Sequence, residues 1–330
     1  MSLFIINDYN VYLDIPDDIN FSFNYMSAFD IFNMDKFIDN LFIKDEDSLI
    51  ILWGCGYQIP VIDQRITKLN DFYQSIKNPM ILFNGGIFKE RLINFPTLEF
   101  SMFQHISKMG QKHDRAFIPN KTKKFLYSST KDYVTRRYII QLLLNEYADQ
   151  GYLAYKCHVK DFKDADNFSH DILNSCNSIK NLLPIEGFDT IVDYMAVPES
   201  VINDSYLSII TETYHSGALH ISEKVFNAMM YNHFFIYLGP PGTLTYLREL
   251  GFKTFSHIID ESYDDIENIE SRLMAVSTAI KDFLNQPLDQ IEKIYQDNQN
   301  IFEHNRKLVQ STDINDIVIP QLRRAIDVKS

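Results

Sequence analysis

The chain has 330 residues, 45% of them hydrophobic and 14% aromatic, with a formal net charge of −13. That length accommodates two ordinary domains, and so much apolar material excludes an intrinsically disordered chain. The acidic balance excludes a generally basic nucleic-acid coat, and no run approaches the roughly 20 apolar residues of a membrane span.

Three cysteines, Cys55, Cys157 and Cys176, lie too far apart for a disulfide framework or a zinc site. The first residues, MSLFIINDYNVYLDIPDD, lack the basic start and long apolar run of a signal peptide, so the expectation is a cytoplasmic protein without membrane contact.

In chain order, 3–6 and 11–15 read as strands or an edge hairpin, and the apolar spacing over 26–43 predicts one or two short helices. Ser48 to Trp53 and Met80 to Phe83 are buried-strand candidates, ended by Gly54-Cys55-Gly56 and Asn84-Gly85-Gly86, with a helical crossover over 61–76. Residues 98–109 look helical. From Lys108 to Arg137 nine basic residues stand against two acidic ones, and Pro119-Asn120 falls inside this stretch. The predicted domains are therefore 1–118 and 119–330. Such a basic run meets a pyrophosphate, a nucleic-acid backbone or water.

Lys124 to Ser128 reads as a strand, followed by a helix over 133–147 with Val134, Ile139, Leu142, Leu143 and Tyr147 inward. Arg136 and Arg137 sit in its first turns, against the macrodipole, which calls for an anionic partner. After a strand over 152–157 and a short helix near 169–182, Tyr206 to Ile210 is a strand that delivers Glu212 to its carboxyl end. Ser222 caps a helix opened by Glu223 and Lys224, which stops at Asn232. Phe234 to Leu238 is a short apolar run with the character of a buried parallel strand. Gly239-Pro240-Pro241-Gly242 then breaks the chain, Thr243 caps a second helix, and Gly251 ends it. In open α/β sheets, ligands sit at the carboxyl ends of strands, where helix N-termini attract phosphate. Further helices are expected over 264–284, from Pro287 to about Leu308, and over 316–326, the last packing back across the domain junction.

Two of these segments carry a resemblance. KKFLYSSTKDYVTRRYIIQLL from Lys123 is similar to the strand, turn and Arg-bearing helix that open the donor domain of the α-1,3-fucosyltransferase family. ITETYHSGALHISEKVFNAMMYNHFFIYLG from Ile210 is similar to that family's Glu…Thr-Glu-Lys segment. Together with RELGFKTFSHIIDESYDDIE, this second segment resembles uncharacterised glycosyltransferase-like proteins of bacteriophages and large viruses. The resemblance covers about 120–285 and implies a GT-B glycosyltransferase: two Rossmann-like α/β domains facing across a cleft. It implies a UDP- or GDP-type nucleotide sugar as donor, with the pyrophosphate on Lys224 and on Arg136 or Arg137, the ribose on Glu223, and Ser222 in place of the usual Thr. The viral likeness implies a hydroxymethylated base in phage double-stranded DNA as acceptor and the host cytoplasm as location, with a glycan as the competing acceptor.

Chemistry asks for the same residue types. Charge builds on the diphosphate as the glycosidic bond breaks, and a lysine and an arginine answer it. Glu212 is a candidate to contact the sugar, and Asp63 is the candidate base, with His105 and His113 as alternatives. His215 and His220 flank the nucleotide stretch and read as structural. The triplets Asp164-Ala165-Asp166 and Asp45-Glu46-Asp47 read as solvated loops, so the predicted catalysis needs no metal and no cofactor. A non-catalytic nucleotide- or DNA-binding module with the same fold is the alternative of a different class.

Overall fold

The computed structural model describes residues 2–6, 9–13, 22–27, 48–54, 67, 70–71, 73–75, 80–84, 86–87, 97–99, 117–155, 164–179, 182–185, 197–213, 215–216, 219–311 and 314–327. The chain is α/β and forms two compact units. Unit 1 comprises Met1–His105, Gly217–Ile221 and Thr312–Ser330; unit 2 comprises Ile106–Ser216 and Ser222–Ser311.

Unit 1 opens with the expected hairpin, β1 (Ser2–Ile6) antiparallel to β2 (Tyr9–Leu13). Its main sheet is parallel throughout, in the order β3 (Ser22–Ser27), β4 (Ser48–Gly54), β5 (Met80–Asn84) and β7 (Thr97–Glu99). Helical residues between β4 and β5, among them Asn70 and Tyr73, make the crossover that parallel neighbours require. Met26 lies in β3, not in a helix, because pairing with Leu52 in the ladder outweighs its local preference. Leu98 and Glu99 likewise lie in β7; the other helical expectations over 28–43 and 100–109 fall outside the described residues. A short antiparallel pair joins β6 (Gly86–Ile87) to β11 (Leu219–His220), so the chain enters unit 1 for a few residues just before Ser222.

Unit 2 has a second parallel sheet, ordered β12 (Phe234–Leu238), β10 (Ser205–Thr211), β8 (Lys123–Ser129), β9 (Gly151–Tyr155). Every residue of β10 and β12 is buried, which accounts for the unbroken apolar run of β12 and the mostly apolar one of β10, where Ser208 interrupts Tyr206–Ile210. Gly151 opens β9 because a Cβ there would lie 2.4 Å from the ring of Phe125. Helix α1 (Val134–Tyr147) follows β8 and buries the five inward residues expected of it. Helices α2 (His170–Asn177) and α3 (Glu199–Asn203) precede β10. Helix α4 (Glu223–Met230) precedes β12, and α5 (Thr243–Glu249) follows it. Three more complete the unit: α6 (Ile269–Leu284), α7 (Leu288–Asp297) and α8 (Gln299–Ser311). The chain's last helix, α9 (Ile314–Asp327), belongs to unit 1 and packs on β5 and β7.

The core of unit 2 is aromatic. Phe234 meets Phe255, Phe283, Tyr295 and Phe302 at centroid distances of 4.9 to 6.0 Å, mostly edge to face. Truncating it to alanine would cost roughly 3–5 kcal/mol.

The strand order decides where a ligand belongs. From β8 the chain crosses outward to β9 at one edge, then returns to the other side of β8 to place β10 and β12. This is the doubly wound order, and its topological switch point lies between the carboxyl ends of β8 and β10.

Candidate functional site

Residues from five segments converge at that switch point. Strand β8 ends at Ser129, β10 ends at Thr211, and Glu212 follows directly. Ser222 caps α4 as its sequence predicts, its hydroxyl accepting from the backbone N–H of Lys224. The same hydroxyl donates to Glu212 Oε1 and accepts from Lys224 Nζ at 3.1 Å. Lys224 Nζ lies 3.3 Å from Glu212 Oε2 and 3.4 Å from Glu223 Oε1. Glu212 is 1% exposed and its Oε1 takes a further hydrogen bond, 2.9 Å long, from the Tyr237 hydroxyl on β12. Burial, and next the Glu212 charge, hold the Tyr237 phenol well above its ordinary pKa, so it stays a donor. A buried carboxylate supplied with a cation and two hydroxyls is a fixed point, and the ammonium of Lys224 is fixed to it.

Arg136 reaches the same place from α1. Its guanidinium donates to the Thr211 carbonyl at 3.1 Å, to Thr213 Oγ1 at 3.0 Å and to Ser129 Oγ at 3.4 Å, so it clamps the ends of β8 and β10 together. It is 4% exposed, all three acceptors are neutral, and its Nε has no partner among the described residues. A buried guanidinium without a carboxylate partner is what an anionic ligand would complete.

Of the two candidate arginines, only Arg136 faces the switch point in this way. Arg137 is ion-paired with Asp132, which also accepts from Tyr155 at 2.8 Å, and this supplies the anionic partner expected at the start of α1. Asp63, His105, His113 and the triplet Asp45-Glu46-Asp47 lie outside the described residues. His220 contributes its backbone to β11.

His215 is not satisfied in the ordinary structural way. Its Nε2 shares a 2.9 Å hydrogen bond with Thr135 Oγ1, while Nδ1 is buried without a partner among the described residues. Burial first, then Arg136 and Arg272, pushes its pKa down to about 3, so the ring is neutral at any working pH. Arg272, 1% exposed on α6, donates to the backbone carbonyls of His215, Ile266 and Glu267, and burial lowers its pKa to about 10.

Two sequence expectations need correction. Asp164 is not a solvated loop residue: its Oδ1 accepts from the Val134 backbone N–H at 3.2 Å and so covers the start of α1, and burial raises its pKa. Nor is the start of α5 open to a ligand. Gly242, at φ 83°, holds the N-cap position in place of Thr243, whose hydroxyl instead donates to the Pro240 carbonyl. The Asp264 carboxylate accepts from the backbone N–H groups of Leu244 and Thr245 at 3.0 and 2.9 Å, filling the anion position. Because Asp264 is used there, α6 begins later than expected, at Ile269 behind the cap Asn268.

Sequence reasoning missed Tyr237 and Arg272 as parts of this region. Tyr237 sits inside an apolar run that reads as core, Arg272 follows Glu270-Ser271 on a helix and reads as a solvated charge, and only the tertiary packing shows what they meet. Among the described residues no cluster of histidine, cysteine or carboxylate side chains is arranged to hold a metal ion, and no helix is long and apolar enough to cross a membrane.

The chain matches no family model and no curated protein sequence. Among solved structures it is similar to one described as trehalose-6-phosphate from E. coli bound with UDP-2-fluoro glucose. The identity is 13% and the TM-score 0.46, and the match covers 92% of this chain and 77% of that one. A likeness of that degree leaves the ligand, and the residues that hold it, to be argued from the chain's own geometry.

Proposed function

We propose that the chain is a nucleotide-sugar-dependent glycosyltransferase of GT-B type, with its donor diphosphate at the carboxyl edge of the unit 2 sheet. One observation carries this reading: Arg136, Glu212 and Lys224 converge at the switch point of a doubly wound sheet, beside the N-terminus of α4. Two Rossmann-like units in one chain and the two sequence segments described above support it.

In this reading Lys224 and Arg136 take up the charge that grows on the leaving diphosphate as the sugar–oxygen bond breaks, one as a point charge and the other as a fork. Glu223, with its side chain 17% exposed, accepts from ribose hydroxyls. Glu212 acts through Lys224, since its oxygens are already engaged by Ser222, Tyr237 and Lys224. Asp63 of unit 1 remains the proposed base for the acceptor hydroxyl. Protein cations supply the charge that a metal would otherwise provide, so turnover is expected to persist in EDTA.

For the acceptor, the basic run bears on the choice. Lys121 and Lys123 donate to backbone carbonyls at 2.8 and 2.7 Å, Lys124 to another at 2.7 Å, and Arg136 and Arg137 are buried. With those five engaged inside the protein, the run offers a weak grip on DNA phosphates, and a glycan hydroxyl is the better-supported acceptor over a hydroxymethylated base.

The test is calorimetric binding of UDP and GDP, followed by donor hydrolysis and transfer against a panel of nucleotide sugars. Lys224→Ala is expected to lower turnover by roughly a hundredfold or more while the fold persists. Undiminished turnover in that variant would overturn the reading. Nucleotide binding with no turnover on any donor would leave a binding module instead.

A further inference from the structure

The charge balance at this edge of the sheet demands one more participant. Lys224 stands within ion-pair distance of both Glu212 and Glu223, so that trio is net negative and a poor receptor for a diphosphate. Arg136 brings the group only to neutrality, and the charge of Arg272, beyond His215, is answered by Glu267 and Asp264. A further cation has to face it before the pole becomes positive.

Lys131 is placed to do so. It lies in the turn that joins β8 to α1, at the switch point itself. Ser129 Oγ donates to the Lys131 carbonyl at 3.0 Å, accepts from its backbone N–H at 3.4 Å, and accepts from Arg136 Nη1 at 3.4 Å. One hydroxyl thus holds the Lys131 backbone and the Arg136 guanidinium together. The residue is exposed, and its ammonium makes no hydrogen bond or ion pair among the described residues. Partial loss of solvent, then the charges of Arg136 and Lys224, lower its pKa, with Glu223 and Glu212 opposing. Each of those four groups is therefore within its electrostatic reach.

We infer that Lys131 is a direct ligand of the donor diphosphate, the cation that turns this pole positive and follows the leaving group as its charge grows. This rests on the reading of the site as a donor site.

The full chain is titrated calorimetrically with UDP and with GDP as wild type, Lys131→Ala, Lys131→Arg, Lys224→Ala and Lys293→Ala. Lys293, exposed on α7 and paired with Asp297, serves as a remote control. Lys131→Ala is expected to bind the preferred diphosphate roughly tenfold or more weakly, with Lys131→Arg restoring most of that and Lys293→Ala unchanged. Wild-type affinity in Lys131→Ala, alongside loss in Lys224→Ala, would overturn the inference and leave the donor site standing. An equal loss in Lys293→Ala would reduce the effect to general charge and overturn it as well. A wild-type chain that binds neither nucleotide would remove the donor site, and Lys131 with it.

Discussion

Tyr237 donates to Glu212 across the gap between β12 and the end of β10, and both side chains have lost almost all contact with solvent. The hydroxyl is one of the few groups that compensate a carboxylate for leaving water, and Glu212 in turn fixes Lys224. Tyr237→Phe keeps the ring and removes only the donor. It is expected to cost about 1–3 kcal/mol of stability and to weaken UDP or GDP binding through Lys224. Chemical denaturation and titration calorimetry check the two effects. Unchanged stability would mean that Glu212 does not depend on the phenol.

The strands of unit 2 were legible in the sequence because β10 and β12 are buried on both faces, β12 reading as a continuous apolar run and β10 as one interrupted by Ser208. Helix α4 was legible from a local cue, the Ser222 cap, and Glu212 from its position just past a strand. Tyr237 was not legible, since one hydroxyl in a run of core residues carries no local mark of its partner. The late start of α6 and the break between α7 and α8 at Asn298 were hidden for a related reason. Asp264 is drawn off to cap α5, and Asn298 bonds His257 at 2.7 Å; both are tertiary contacts that override helical periodicity.

The two helix starts flanking β12 look alike in sequence and differ in the structure. At α5 the Asp264 carboxylate takes the two backbone donors that a phosphate would use. Asp264→Ala is therefore expected to lower stability by about 1–2 kcal/mol, and thus the melting temperature by a few degrees, with nucleotide affinity unchanged. Thermal melts with and without UDP or GDP test this. A gain in diphosphate affinity would show that the vacated start of α5 had become a second anion site.

Acid should destabilise unit 2 through two histidines. Burial and the nearby arginines hold His215 at a pKa of about 3, and burial and Lys121 hold His233 well below its ordinary value. His233 is further fixed by Ser208 and the Ile202 carbonyl at 2.9 and 2.6 Å. Unfolded, each titrates near 6.5, so below that pH the unfolded chain binds protons that the folded chain refuses. Stability is full above about pH 6.5 and falls as pH drops below it, by up to about 1.4 kcal/mol per pH unit for each histidine. The raised pKa values of Asp164 and Glu261 act in the opposite direction. Urea titrations at pH 7.5, 6 and 5 read the slope. A flat profile would mean that both rings are protonated in the folded state.

At the opposite edge of the same sheet, Lys121 gives the reverse experiment, at alkaline pH. Its ammonium is 4.7 Å from the centre of the Tyr295 ring, 5.6 Å from that of Tyr206, and donates to the Ser205 carbonyl. Burial lowers its pKa to about 7, against the pull of Asp204 and Glu292. The unfolded lysine titrates near 10.4, so between these values the unfolded chain holds a proton that the folded chain has shed. Stability should then rise from pH 7 to about 9.5, by about 1.4 kcal/mol per pH unit, and be insensitive to this group below 7, where both states are protonated. Lys121→Met keeps an apolar stem against the two rings and removes the charge, so it should abolish the rise and be the more stable form at pH 7. Denaturation of both proteins across pH 7 to 9.5 decides the matter. An equal slope in Lys121→Met would assign the rise to another group, and a wild-type slope of zero would show that the buried lysine keeps its proton, stabilised by the aromatic faces.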